Sequence, residues 1–269
     1  MLTDEELTRY ARQIVLPHLG GTGQQRLKAA RVAVVGAGGI GAAVIPALAG
    51  AGIGRLTIID PDDADLSNLH RQPIYRSRDA GEPKAALAAQ FVRRLNPFVE
   101  VAGVERAISS DNAATLLCGH DLVIDGTDNF ATRLAVSDAC VALGQPLLSA
   151  AAAQWQGQVG LFTGRPCYRC FVGDAFDADD CDNCAELGVT GALTGLAGNL
   201  AALLALRFLA EAGEVMAGTV QLIDGLAATQ RPIRIVADPG CRACGATPSS
   251  LPQSSSAPPS SSQAPSSFP

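Results

Sequence analysis

The sequence predicts an α/β fold: a Rossmann-like, doubly wound and mostly parallel sheet, entered through an N-terminal helical segment and followed by a disordered C-terminal tail. Three observations carry this. Short apolar runs alternate with stretches of helical period, and that alternation implies a parallel sheet covered on both faces. A Gly-x-Gly-x-x-Gly pattern, Gly36 to Gly41, stands between the first run and the first long helical stretch, where a tight turn joins a strand to a helix. Residues 246–269 hold ten Ser, six Pro and no charge, too little apolar surface to offset the entropy of ordering.

Taken in order, Thr3-x-x-Glu6 followed by Leu7, Tyr10, Ala11 and Ile14 is a capping-box start with the three-to-four spacing of an amphipathic helix. It sets Arg9 and Arg12 on one face. Residues 31–35 form a strand, and an Ala-rich helix runs from the glycine turn to about residue 51. Strand 56–59, helix 84–95, strand 99–104, helix 111–117 and strand 122–124 continue the alternation, with helix 130–143 after it. Strands at 146–149 and 158–162, a long buried helix at 192–210 and strands at 220–223 and 233–236 close the ordered part. Segment 174–182 carries five aspartates and no period, which predicts an exposed loop. The organisation is therefore one structured domain, 1–245, and the tail, 246–269.

Composition narrows the function. With 20 Lys and Arg against 26 Asp and Glu, the net charge is -6, so the basic footprint of a nucleic-acid binder is missing. Asp4, Glu5 and Glu6 stand where a secretory signal needs a basic start, and the expected location is cytoplasmic. The most apolar stretch contains Thr194, Gly195, Gly198, Asn199 and Arg207, which fits burial against protein rather than a membrane span.

Gly36, Gly38, Gly39 and Gly41 remove side chains where backbone N–H groups meet phosphate, and Asp60, ending the second strand, is placed to accept ribose hydroxyls. Alone, this pattern fits an NAD-dependent oxidoreductase as well as a nucleotide enzyme. The neighbouring loops add Asn68, Arg71, Lys84, Asp128 and Asn129. Hydride transfer needs no pair of cations and a carboxylate beside the phosphates, whereas nucleotidyl transfer does. Arg71 and Lys84 suit charge growing on an α-phosphate, Asp128 suits Mg2+, and Asn68 suits phosphate or ribose oxygens. A non-catalytic binding module that has kept only the fold is the other alternative, and the intact set argues against it.

At this point the chain resembles the ThiF/MoeB/HesA family, the bacterial relatives of ubiquitin-activating enzymes. The matching segments are Arg9-Tyr10-x-Arg12-Gln13, Gly36-Ala37-Gly38-Gly39-Ile40-Gly41, Ser67-Asn68-Leu69-His70-Arg71-Gln72, Pro83-Lys84, Thr127-Asp128-Asn129, Cys167-Tyr168-Arg169-Cys170 and Cys241-Arg242-Ala243-Cys244. The resemblance implies ATP-dependent adenylation of the C-terminal glycine of a small ubiquitin-like sulfur-carrier protein, of the thiamin or molybdopterin type, with release of pyrophosphate. It also implies a homodimer in which Arg12 reaches the partner's site, Asp60 on the ATP ribose, Arg71 and Lys84 on the phosphates, and Asp128 on magnesium. Sulfur would come from a separate donor, a cysteine desulfurase or sulfurtransferase.

The cysteines divide into two groups. Cys167, Cys170, Cys241 and Cys244 form two CxxC pairs, the ligand spacing of a four-thiolate structural Zn2+ site, with two disulfides or an iron-sulfur centre as competitors. The resemblance favours zinc. Cys118 and Cys140 fall in helical patterns and are expected in the core. Cys184 follows the acidic loop in a segment resembling the one where some family members carry a thiol able to link to the carrier. It is either chemical or an unreactive structural thiol, and Cys181 beside it makes a redox pair a rival.

Overall fold

The computed structural model describes residues 1–173, 188–214 and 216–245. Helix α1 (Asp4–Ile14) begins with the expected capping box, Thr3 and Glu6 bonding each other's backbone N–H. It is followed by α2 (Gly20–Ala29), which the sequence pattern does not announce, because three glycines head its first turn. Tertiary contacts override that weak propensity. Leu27 is fully buried, and fully buried Gln24 donates from Nε2 to the carbonyl of Ala51 at 2.9 Å.

The sheet has eight strands in the order β3-β2-β1-β4-β5-β6-β7-β8. They are β1 (Arg31–Val35), β2 (Arg55–Ile59), β3 (Glu100–Val104), β4 (Leu122–Asp125), β5 (Leu147–Ala153), β6 (Gln156–Phe162), β7 (Thr219–Asp224) and β8 (Thr229–Arg234). From β3 to β5 the pairing is parallel, and from β5 to β8 antiparallel. Alternate residues serve the two faces. Val32, Val34, Ile58 and Ile124 join α3 (Gly41–Ala51), α4 (Lys84–Leu95) and α8 (Gly191–Ala210) on one side. Ala33, Val35, Ile59 and Val123 join α5 (Ala113–Leu117) and α6 (Phe130–Leu143) on the other. Short α7 (Tyr168–Val172) follows Cys167 directly and contains Cys170.

Three expectations need correction. The last strand sits at Thr229–Arg234 rather than 233–236, because pairing with β7 sets its register, and Pro232 is tolerated there on the sheet edge. Helix α8 is buried on one side only: Leu196 and Leu203 are 52% and 53% exposed. Cys140 is buried as expected, but Cys118 ends α5 and is exposed. The acidic segment 174–182, Cys181, Cys184 and the tail 246–269 lie outside the described residues. Among those described, α8 alone is long and apolar enough to cross a membrane, and it packs against β5, β6 and α3.

The two helices α3 and α8 approach closely at Gly198, where a Cβ would lie 2.7 Å from both the Ala43 Cβ and the Ile40 carbonyl oxygen. Gly198→Val is expected to cost about 1–3 kcal/mol by overpacking, read as a lower thermal unfolding midpoint. An unchanged midpoint would contradict that contact.

Candidate functional site

The C-terminal ends of β1, β2 and β4 open into a cleft of about 890 Å³, at the point where successive connections leave β1 in opposite directions, the usual ligand crevice of such sheets. Gly36 takes φ +89°, and a Cβ there would press on the backbone of Gly126 and Thr127 at 3.2 Å. At Gly41 a Cβ would collide with the carbonyl of Gly36. The turn can therefore be made only by glycine at these two positions. Gly38 and Gly39 line the cleft, Gly39 directly below Thr194 of α8.

Asp60 is buried, and both carboxylate oxygens are engaged: Oδ2 accepts the N–H of Ala37 at 2.7 Å and Oδ1 that of Asp62 at 2.8 Å. Burial pushes its pKa above the usual carboxylate value, while the two backbone N–H groups and nearby Lys84 oppose the rise. On the other side of the Ala37 peptide, the buried Tyr75 hydroxyl donates to its carbonyl at 2.8 Å. Asp60 thus lines the cleft and also ties the glycine turn to the next loop, a task the sequence did not reveal.

Lys84 heads α4 and is 5% exposed, its Nζ 3.0 Å from Oδ2 of Asp62. Arg71 Nη2 donates to Asn68 Oδ1 at 2.7 Å, so Asn68 orients the guanidinium. Buried Gln72 lies in the same wall, its Oε1 unpartnered among the described residues. On the opposite wall Asp128 is exposed to the cleft, and Asn129 uses its side chain to cap α6, accepting the N–H of Thr132 at 2.9 Å. One cleft therefore gathers every expected nucleotide residue: Gly36, Gly38, Gly39, Asp60, Asn68, Arg71, Lys84, Asp128 and Asn129 line it, with Gly41 shaping the turn from behind.

Arg12 is not brought in. It is exposed in the last turn of α1 and does not line the cleft of its own chain. Arg9, on the same helix, bonds the Leu95 carbonyl and lies over the Phe98 ring. Sequence reasoning also missed Asp125 and Arg133, which hold the loop bearing Asp128. One signal was present: Arg133 and Asp138 are the only charges in the mostly apolar α6.

The sulfurs of Cys167, Cys170, Cys241 and Cys244 all lie within 4.8 Å of one another, with pairs at 4.0, 3.6 and 3.4 Å. A disulfide needs about 2.05 Å. Tetrahedral zinc with bonds of about 2.3 Å sets its sulfurs about 3.8 Å apart, and the cluster fits that spacing. Burial raises the Cys167 thiol pKa; it acts upward on Cys241 too, but backbone N–H groups of Cys244 and Ala243 and the Cys167 thiol bring Cys241 down to about 7. The N–H of Asp238 points at Cys170 Sγ at 3.4 Å.

Comparison with known proteins agrees with this geometry. The ThiF family model matches residues 10–243. The chain is 43% identical over 254 residues to the sulfur carrier protein adenylyltransferase of Thermus thermophilus, covering 92% of this chain and 94% of that one. It is 38% identical over 247 residues to the molybdopterin-synthase adenylyltransferase of Salmonella typhimurium, covering 91% and 98%. It is also 43% identical to the mouse adenylyltransferase and sulfurtransferase MOCS3, of which it spans 55%. Among solved structures, Escherichia coli MccB with ATP superposes with a TM-score of 0.78 at 23% identity, over 88% of this chain and 74% of that one, and shares the fold.

Proposed function

The chain belongs to the ThiF family, and we propose that residues 1–245 act within it as the ATP-dependent adenylyltransferase of a ubiquitin-like sulfur-carrier protein. The observation that carries this is the joint placement of the glycine turn, Arg71, Lys84 and Asp128 around one cleft at the ends of β1, β2 and β4.

A carboxylate oxygen of the carrier's C-terminal glycine attacks the α-phosphorus of ATP. The bond to the α,β-bridging oxygen breaks, and pyrophosphate leaves with that electron pair, giving an acyl-adenylate. Backbone N–H groups of the glycine turn and the positive end of α3 receive phosphate oxygens. Lys84, buried at the head of α4 with its Nζ on the Asp62 carboxylate, and Arg71, held by Asn68, offset the charge that grows on the phosphates. Because both cations are fixed before substrate arrives, little reorganisation is left for the reaction itself. Asp60 takes the ribose hydroxyls through the lone pairs its two backbone bonds leave over. Asp128 is an exposed carboxylate on the cleft wall, the hard oxygen donor that magnesium takes alongside substrate phosphates; the ion supplies charge neutralisation there.

The partner is a carrier with a Gly-Gly C-terminus, of the thiamin or molybdopterin pathway. Sulfur comes from a separate cysteine desulfurase or sulfurtransferase, in the cytoplasm. The chain works as a homodimer in which Arg12, exposed and remote from its own cleft, serves the cleft of the second copy. Zinc occupies the four-thiol cluster in a structural role, joining the segment after β8 to α7.

Lys84→Ala and Arg71→Ala are each expected to lower carrier-dependent pyrophosphate exchange by about 100-fold or more without unfolding the protein. Near wild-type exchange in either would remove that residue from the site. Mixing Arg12→Ala with Asp128→Ala subunits should restore about one working site per heterodimer if Arg12 acts in trans; heterodimers without recovery would refute it. Elemental analysis should find about one zinc per chain, lost in Cys241→Ser together with part of the thermal stability. Fully folded, metal-free wild-type protein would rule the metal out.

A further inference from the structure

The loop that carries Asp128 is held more firmly than an exposed acid requires. Thr127, just before it, has every polar group fixed. Its N–H and hydroxyl go to Asp125 Oδ1 at 3.0 and 2.7 Å, and its carbonyl accepts from Arg133 Nη2. The same nitrogen donates to the carbonyl of Ala150 on β5 at 3.1 Å, and Nη1 lies 3.5 Å from Ser149 Oγ. Asp125 is fully buried and Arg133 is 6% exposed, so opposite charges grip Thr127 from its two ends. Just after Asp128, the Asn129 side chain closes the first turn of α6. Asp128 is therefore a single residue between Thr127, whose N–H, hydroxyl and carbonyl are all fixed, and a helix cap.

We propose that Arg133 is a positioning residue for Asp128: its guanidinium, braced on β5, sets the peptide from which the Asp128 carboxylate meets magnesium and the nucleotide phosphates. The inference rests on the assignment of Asp128 to magnesium. A carboxylate on a short loop has many orientations, and a metal site needs its ligand held by supporting groups to a fraction of an ångström. Arginine suits this because its planar guanidinium aims both N–H of Nη2 at the two carbonyls while Nη1 lies against Ser149, whereas a lysine ammonium at the end of a flexible stem has no second arm to fix that orientation. The carbonyls come from the loop and from a neighbouring strand, so the loop takes its position from the sheet.

The test is the coupling between magnesium and ATP, read by calorimetry as the ratio of ATP dissociation constants in EDTA and in excess Mg2+. Wild type, Asp128→Ala, Arg133→Lys and Thr127→Val are compared, with thermal unfolding of each. In Arg133→Lys the ratio is expected to fall about fivefold or more toward that of Asp128→Ala, while affinity in EDTA stays within about twofold of wild type. Thr127→Val removes the hydroxyl bond to Asp125, loosening the same residue from its other side, and should lower the ratio in the same direction, which keeps the test open if Arg133→Lys fails to fold. A purely structural Arg133 would lower the unfolding midpoint and leave the ratio of the folded protein at the wild-type value; that result overturns the proposal. If Asp128→Ala itself keeps the wild-type ratio, the assignment of Asp128 falls, and the role of Arg133 with it.

Discussion

The site depends on one close approach of backbones, that of Gly36 against Gly126 and Thr127. β1 and β4 are neighbours in the sheet although β2 and β3 intervene in sequence, so the chain leaves them in opposite directions and a crevice opens between the two loops. A side chain at position 36 would wedge those loops apart. With glycine there, the phosphate-binding turn and the loop carrying Asp128 share one wall, and cations arriving from the β2 loop and the start of α4 face both. The chemistry follows from that adjacency, since charges useful to a phosphoryl centre must converge on a few ångströms of space.

Both loops are stiffened by the same device. The Ala37 peptide is held by Asp60 at its N–H and by Tyr75 at its carbonyl; the Thr127 residue is held by Asp125 and by Arg133. In each case a buried carboxylate at a strand end accepts bonds that offset the desolvation of its charge, two backbone N–H groups for Asp60 and the N–H and hydroxyl of Thr127 for Asp125. Burial makes these bonds strong and leaves a lost partner costly. The loops are thereby fixed in the free protein, a condition for electrostatic catalysis that works without rearrangement.

Much of this was legible in the sequence, because the determining features are local. Glycine spacing, the capping box of α1 and the strand–helix alternation each state their structure within a few residues, and the cleft residues follow strand ends in order. What escaped was long-range. Helix α2 exists through Gln24 and Leu27 packing on partners far along the chain, not through its glycine-rich first turn. The register of β8 comes from β7, so its own apolar residues, Ile233 and Ile235, mislead about its bounds. Asp60 looked like a ribose ligand alone, because nothing local to it announces the N–H of Ala37. Arg133 stood out only as a charge in an apolar helix, and its acceptors, Thr127 and Ala150, lie on different elements.

The cysteine cluster, remote from the cleft in sequence, is part of the same scaffold. The polar edge strand β8 offers little apolar burial of its own, and the segment after it reaches the body of the protein through Cys241 and Cys244 against Cys167 and Cys170. Between that first pair stands Arg169, 5% exposed, which grips Asp138 of α6 with two bonds of 2.6 Å. Asp138 lies five residues after Arg133 on the same helix. A rigid path thus runs from the thiol cluster through α7 to α6, and from α6 to the loop bearing Asp128. Loss of the cluster would first release the segment after β8, since β8 itself stays paired along its length with β7; its effect on the cleft would arrive through the Arg169–Asp138 pair. The antiparallel half of the sheet is in this sense a brace for the parallel half: it adds none of the charged residues that line the cleft among the described residues, but it holds the helix whose arginine positions one.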